Sequence, residues 1–218
     1  IYFVTGDTLT GPTHSNDQFS IKGNPVFDGA VTSANGSINY RSNFSNNPQF
    51  NGGLSLGAES ISLPLSAAEL RVAAASASGD WYEGTTTITL HNNGTMLVTN
   101  SAKGWTNQQV NLPSNGAVFV NGGTVNVSGT LNGELTIGSS RDVNITNHIY
   151  YADNPQTNAN SDDVLGLVAE DDVTISTSAP NNLNIYASVM AMDESFTVTN
   201  YSRGSPRGTM TVYGCIIQ

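Results

Sequence analysis

The stretch Leu135-Thr-Ile-Gly-Ser-Ser-Arg-Asp-Val-Asn-Ile-Thr146 lies without a gap over Leu165-Gly-Leu-Val-Ala-Glu-Asp-Asp-Val-Thr-Ile-Ser176, matching Leu135 to Leu165, Asp142 to Asp172, Val143 to Val173 and Ile145 to Ile175. A looser third copy runs from Val189 to Val198, with one extra residue before Phe196. Within each copy apolar residues alternate with polar ones on either side of a polar corner, the period-two pattern of two short half-buried strands. One strand-corner-strand unit cannot bury its inward face alone, so successive copies are expected to stack. The fold is therefore read as all-β, a parallel β-solenoid. An antiparallel β-sandwich stays open as the alternative, because the copies are degenerate and their spacing irregular.

The same alternation extends outward in both directions, at Phe19/Ile21, Ile88/Leu90, Val118/Val120, Val125/Val127, Leu183/Ile185, Phe196/Val198 and Met210/Val212. Asn-Gly pairs at Asn35, Asn51, Asn93, Asn115, Asn121 and Asn132 supply residues that tolerate positive φ, as hairpin turns and solenoid corners both require. Pro64-Leu-Ser66-Ala-Ala-Glu69-Leu70-Arg-Val-Ala-Ala-Ala75 departs from the pattern. It spells a capping box, with Ser66 as N-cap and Glu69 three residues on, and Leu65 is placed to staple against Leu70. The spacing predicts a short helix over 67–76 that covers an open edge or end of the solenoid. Residues 1–218 are read as one elongated domain, with an N-terminal part at 1–80 and repeating coils at 81–218.

Composition narrows the function. The 218 residues carry 7 basic against 17 acidic side chains, a net charge of −10, which disfavours binding to nucleic acid or to anionic membranes. Only a convergence of Lys22, Arg41 and Arg71 would reverse that expectation. The single Cys215 makes no intrachain disulfide, so packing and backbone hydrogen bonds must stabilise the fold. No apolar run approaches the roughly 18 residues of a membrane span, and Ile1–Val4 is too short for a signal-peptide core, so the chain is expected to be soluble.

No catalytic, cofactor-binding or metal residue is nominated, no cofactor is expected, and the chain is read as not an enzyme. Gly53-Leu-Ser55-Leu-Gly57 matches a nucleophile elbow, but that motif needs a helix directly after the serine. Glu59 to Pro64 reads as another strand instead. His14, His91 and His148 lack metal-ligand spacing and are read as strand or corner residues. His14-Ser15-Asn16-Asp17 gathers triad-like side chains, yet neighbours in an extended chain face opposite ways, so it is read as a turn. Asp153, Asp162, Asp163, Glu170, Asp171 and Asp172 form an acidic stretch with the oxygen chemistry of a calcium site. Their spacing matches no calcium loop, and the preferred reading is a solvated loop that discourages edge pairing. Asp163 and Asp172 are the carboxylate pair that a carbohydrate-active enzyme would need. An anionic polymer would require basic residues along the groove, and a neutral sugar groove would require exposed aromatics, many of which here occupy strand positions expected to look inward.

The segment Thr5-Gly-Asp-Thr-Leu-Thr-Gly-Pro-Thr-His14-Ser-Asn-Asp-Gln-Phe-Ser-Ile-Lys-Gly-Asn-Pro-Val-Phe-Asp-Gly-Ala-Val-Thr-Ser33 resembles the pattern G-P-V-H-T-N-(D/G)…G-x-P-x-F-x-G-x-V-T-S of a bacterial family. That family comprises type IV pilin-like and pilus-assembly proteins with a large extracellular β-solenoid region. Residues 163–169, 185–191, 195–201 and 207–218 are similar to its C-terminal repeats, and Leu63-Pro64 before an Ala-rich helix also fits. The resemblance implies a non-enzymatic module of the cell surface or fimbrium, minor-pilin-like, serving assembly, adhesion or DNA uptake. It implies other pilus subunits or a helical pilin chain as partners, with surface glycans as a candidate ligand. Such proteins normally begin with an apolar helix that anchors them in the membrane. None lies in these residues, so the expectation is a trimmed ectodomain or a separate subunit that docks on a helical pilin. Two alternatives stand beside this reading. One is a carbohydrate-active β-helix enzyme or carbohydrate-binding fibre. The other is a self-assembling filament subunit, a homo-oligomer paired through Ile1–Val4 and Ile216-Ile217.

Overall fold

The computed structural model describes residues 2–218. The chain divides into two compact units, Ile1–Leu63 and Pro64–Gln218, so the division falls at the Leu63-Pro64 turn and the helix opens the second unit. Parallel strands in repeating sheets build each unit, as the internal repeat predicts, and the antiparallel sandwich is not formed.

In the first unit three coils each contribute one short strand to three faces. They are β1 (Phe3–Val4), β2 (Thr8–Leu9) and β3 (Thr13–Ser15), then β4 (Ser20–Lys22), β5 (Val26–Phe27) and β6 (Val31–Ser33), then β7 (Asn39–Tyr40), β8 (Gln49–Phe50) and β9 (Leu54–Leu56). Phe3 pairs with Ile21, Thr8 with Val26 and Thr13 with Val31, so the second coil repeats the first at constant register on every face. Of the soft start Ile1–Val4, Ile1 lies outside the described residues and Phe3–Val4 form the outer strand β1. Phe19, Ile21, Phe27 and Val31 are buried, with Phe3, Leu9, Ile38 and Phe50 packed around them. Because Phe27 pairs directly with Phe50, their rings stack at 5.2 Å with 15° between planes. At one corner the backbone turns nest so closely that a Cβ on Gly29 would lie 2.2 Å from the Gly11 carbonyl oxygen, and one on Gly52 would lie 2.3 Å from the Gly29 carbonyl carbon. Glycine is required there for approach rather than for φ.

The second unit begins with α1 (Ala68–Ala74), followed by β10 (Asp80–Glu83), β11 (Thr86–His91), β12 (Thr95–Asn100), β13 (Trp105–Asn111), β14 (Ala117–Asn121), β15 (Val125–Leu131) and β16 (Glu134–Ser139). Then come β17 (Val143–Tyr151), β18 (Val164–Ala169), β19 (Val173–Ile175), β20 (Asn184–Tyr186), β21 (Ser188–Ala191), β22 (Phe196–Val198), β23 (Thr211–Tyr213) and β24 (Ile216–Ile217). One face is the parallel sheet β10-β14-β16-β18-β21-β24; the other runs β11-β15-β17-β19-β22, and β17 continues onto a third side where β20 and β23 follow it. The aligned repeat is the register of the sheets: Leu135 pairs with Leu165, Val143 with Val173 and Ile145 with Ile175. In the third copy Leu167 pairs with Val189 and Val173 with Phe196, so the extra residue is absorbed at the corner before Phe196. The columns Val125-Val143-Val173 and Ile137-Leu167-Val189 are fully buried, and they form the core.

Two elements differ from expectation. Of the Asn-Gly pairs, Asn93-Gly94 turns an antiparallel hairpin between β11 and β12, and β13 extends it to a meander. Met96 and Val98 of β12 are fully buried, so this meander continues the second sheet past the first coil and shields an edge there. The helix is shorter than predicted, and it lies on the outer face of the first sheet, against β14 and β16, rather than over an edge or end. Ala117 and Phe119, which face away from the main core, are buried under Ala67, Leu70 and Ala74. Neither the capping box nor the staple forms: Ser66 is not the N-cap, the N-cap Ala67 has no side-chain cap from its own turn, and Leu65 is fully exposed. Glu170, at the end of β18, does the capping instead. Its Oε1 accepts the Ala67 N–H and the Arg71 Nε–H, each at 3.0 Å, and Arg71 lies 4.4 Å from the Phe119 ring centre. A tertiary carboxylate replaces the local one because it satisfies the helix start and Arg71 together.

The hydrogen bonds from Arg71, and then that from Ala67, hold the Glu170 carboxyl below its ordinary value of 4.5. A depressed carboxyl stabilises the fold fully above its unfolded pKa and ceases to do so as pH falls through its folded one. Glu170→Gln should therefore be less stable than the parent at pH 7, with the gap closing below about pH 4. Urea unfolding followed by tryptophan fluorescence, at a series of pH values, checks this; Trp81 stacks on Phe119 beneath the helix.

Candidate functional site

The acidic residues singled out by sequence do not converge. Asp163 is buried at the start of β18: its Oδ1 accepts the Gly133 N–H at 2.6 Å and its Oδ2 the Asp153 N–H at 2.7 Å. It thereby pins the loop that follows β17 to the corner that precedes β16. Asp153 accepts from Asn158 Nδ2 across the same loop, and Asp162 is exposed. At the other end of β18 Glu170 holds the helix, and Asp171 lies 3.5 Å from Arg141 in a largely exposed pair of little energetic weight. Asp142 accepts the Asp172 N–H at 3.3 Å and Asp172 accepts the Ser195 N–H at 2.8 Å, a ladder in which each corner carboxylate receives the next coil. That ladder crowds charge, and Asp172, with smaller effects from Asp171 and Asp193, holds the Glu194 carboxyl above its usual range. Asp163 is separated from the far end of β18 by about 20 Å of extended chain, well beyond the roughly 5–9.5 Å between glycosidase carboxyls. The two do not share a site. Among the described residues no group of three or more His, Cys, Asp or Glu is disposed to hold a metal ion.

The other motifs resolve into scaffold as well. Of His14-Ser15-Asn16-Asp17, the first two residues end strand β3 and the last two form the bend after it; His14 Nδ1 meets Thr32 Oγ1 at 2.8 Å, one coil away, while Nε2 meets Asn16 Oδ1 at 3.0 Å. Asn16 in turn clamps Ile61, donating to its carbonyl at 2.6 Å and accepting its N–H at 2.7 Å. Glu59–Leu63 is therefore an irregular strap and not the strand expected. Ser55 sits within strand β9 with no helix after it. His91 lies on β11 opposite Thr95, and Cys215 is exposed just before β24. Lys22 lies over the Phe44 ring and Arg41 over Tyr2, while Arg71 is engaged by Glu170.

Sequence reasoning missed the tyrosines. On the third side of the second unit Ile149 pairs with Ile185 and Ile185 with Val212, all facing inward, so the residues that follow them face outward in one column: Tyr150, Tyr186 and Tyr213. The signal was the recurring aliphatic-Tyr pair in three coils; it was passed over because the aromatics were assumed to occupy the inward positions. Gly129 opens this side. Its φ of 109° turns β15 away from the second face, and an added Cβ would lie 2.2 Å from the Leu90 carbonyl oxygen. Tyr150 and Tyr186 meet edge to face at 5.5 Å, as do Tyr186 and Tyr213, and Tyr151 packs against both Tyr186 and Tyr213. Hydrogen bonds fix the rings. Asn184 Nδ2 donates to Tyr150 Oη at 3.1 Å and the Leu165 N–H to Tyr151 Oη at 3.2 Å, and His148 Nδ1 accepts the Asn184 N–H at 3.1 Å. Burial is the main reason the Tyr151 phenol stays above its ordinary range. Beside these rings lies an open groove of about 620 Å³, lined by Tyr150, Tyr151 and Tyr186 together with Asn92, Asn132 and Asp153.

A family model described as a domain of unknown function (DUF4900) matches residues 1–36, which span the first two coils and enclose the segment Thr5–Ser33. The match is to that domain and not to a pilin family. No curated protein and no solved structure matches the chain.

Asp163→Ala should destabilise the second unit by about 1–2 kcal/mol, because it leaves the part-buried Gly133 and Asp153 N–H groups without a protein acceptor. Asp163→Asn, which keeps one carbonyl acceptor, should lose roughly half as much. Chemical denaturation of the three proteins side by side measures both differences.

Proposed function

We propose that this chain is a non-enzymatic structural and adhesive module of an extracellular appendage, in the manner of a minor-pilin-like, type IV pilus-associated protein. The observation that carries the reading is the allocation of reactive side chains. Asp163, Asp172 and His14 are each committed to holding neighbouring coils together, and Glu170 to holding the helix on the sheet. What remains for a partner is an outward face of tyrosines and amides. Polar ladders without disulfides suit a module that must keep its shape outside the cell. The pilus assignment is supported by the resemblance of Thr5–Ser33, and it makes other pilus subunits or a helical pilin chain the partners. No helix among the described residues is long and apolar enough to cross a membrane.

Immunogold electron microscopy on cells that express the whole gene, with antibody raised against residues 64–218, tests the assignment. Label along surface filaments is the expected result. Label confined to the cytoplasm would contradict it.

A further inference from the structure

We propose that the tyrosine groove of the second unit binds an uncharged oligosaccharide chain. The inference rests on the adhesive reading above and gives it a class of ligand. Three features of the groove define that class. Tyrosine rings offer an apolar face to the C–H side of a pyranose and a hydroxyl at the tip. Here Tyr150 and Tyr186 stand in successive coils with ring centres 5.5 Å apart and edge to face, so a sugar chain lying along the column meets one aromatic side chain at each coil. The same lining supplies amides and one carboxylate, Asn92, Asn132 and Asp153, which between them donate to and accept from sugar hydroxyls. Asn132 is already held by donation to the Asn92 carbonyl at 2.8 Å.

Shape and charge narrow the ligand further. A volume of about 620 Å³ falls within the range of small-ligand clefts, and the groove is open to solvent rather than enclosed. The rings are fixed by one another and by Asn184 and Leu165, so little rotamer freedom is lost on binding. Asp153 is the one charged group in the lining, and the chain as a whole carries a net charge of −10, which repels acidic polymers and leaves neutral ones. Asp163, itself buried, accepts the Asp153 N–H and so fixes the backbone of that lining residue. The cleft thus joins stacking surface, hydroxyl-directed polar groups and a rigid frame on one face.

Isothermal titration of the full chain with three uncharged probes tests the proposal: β-1,4-glucose hexamer, β-1,3-glucose hexamer and a high-mannose glycan. The first two represent free polysaccharide and the third a glycoprotein surface, so the responding arm identifies the source. An anionic uronate hexamer is run beside them. Binding of at least one neutral probe is expected, weakened about tenfold or more by Tyr150→Ala and by Tyr186→Ala. Tyr40→Ala, in the first unit, should leave it unchanged. Circular dichroism establishes that each variant is folded, and Asn132→Ala, on the rim, replaces any tyrosine variant that is not. Absence of binding to all three neutral probes, undiminished binding in the folded groove variants, or preference for the uronate would overturn the inference. Surface label without sugar binding would remove this ligand and leave the appendage assignment standing, whereas sugar binding by a cytoplasmic protein would do the reverse.

Discussion

Everything in this molecule depends on like side chains stacking at parallel register. A single turn of this chain exposes its aliphatic side to water, and only the next turn, laid on it residue for residue, removes that surface. The column Val125-Val143-Val173, fully buried throughout, is the interaction in its simplest form. The outward positions follow the same rule. Asn144 donates to Asn126 at 3.2 Å in the preceding coil, and Asp172 accepts from Ser195 in the following one. Polar ladders therefore satisfy on the outside what the aliphatic columns bury on the inside, and an in-register column makes a row of tyrosines as readily as a row of valines.

This constraint explains what the sequence reveals and what it conceals. Leu135 on Leu165 and Val143 on Val173 were legible because register in a parallel stack is sequence similarity: residues that share an environment share a chemical type. The alternating pairs were legible for the same reason, and nearly all of them are buried or pack against the core, although Met210 is 42% exposed despite its place in the alternation. What was hidden is whatever joins residues far apart in the chain without repetition. Glu69 has the spacing of a helix cap, yet Glu170, 99 residues beyond Arg71, takes that role, and no local pattern announces it. The helix lies on a sheet face because β14 is apolar on both sides, with Val118 and Val120 inward and Phe119 outward; that continuous run was read only as alternation.

The candidate site was the least legible part. Acidic side chains drew attention because calcium and sugar hydrolysis both use carboxylates, but chemical type alone does not distinguish a ligand from a brace. Asp163 is a brace, since two backbone N–H groups occupy its two oxygens. The groove was overlooked because an aromatic in a strand was assumed to point inward. Parity decides that direction, and Ile149-Tyr150, Ile185-Tyr186 and Val212-Tyr213 all have the aliphatic residue on the inward parity. The carboxylates make a rigid frame, and the frame presents the tyrosines.

The account stands most directly on the pairing of successive coils, and a disulfide trap measures that pairing. Asn144 and Thr174 are neighbours on outward positions of adjacent coils, whereas Thr197 lies one coil further on. Adjacent parallel strands place paired Cα atoms about 4.8 Å apart, within the span a disulfide bridges. In a background carrying Cys215→Ser, Asn144→Cys with Thr174→Cys should oxidise nearly completely to an intramolecular bridge, and Asn144→Cys with Thr197→Cys should not. Failure of the first pair to close, or equal closure of the second, would contradict the stacked-coil register on which the fold, the frame and the groove all rest.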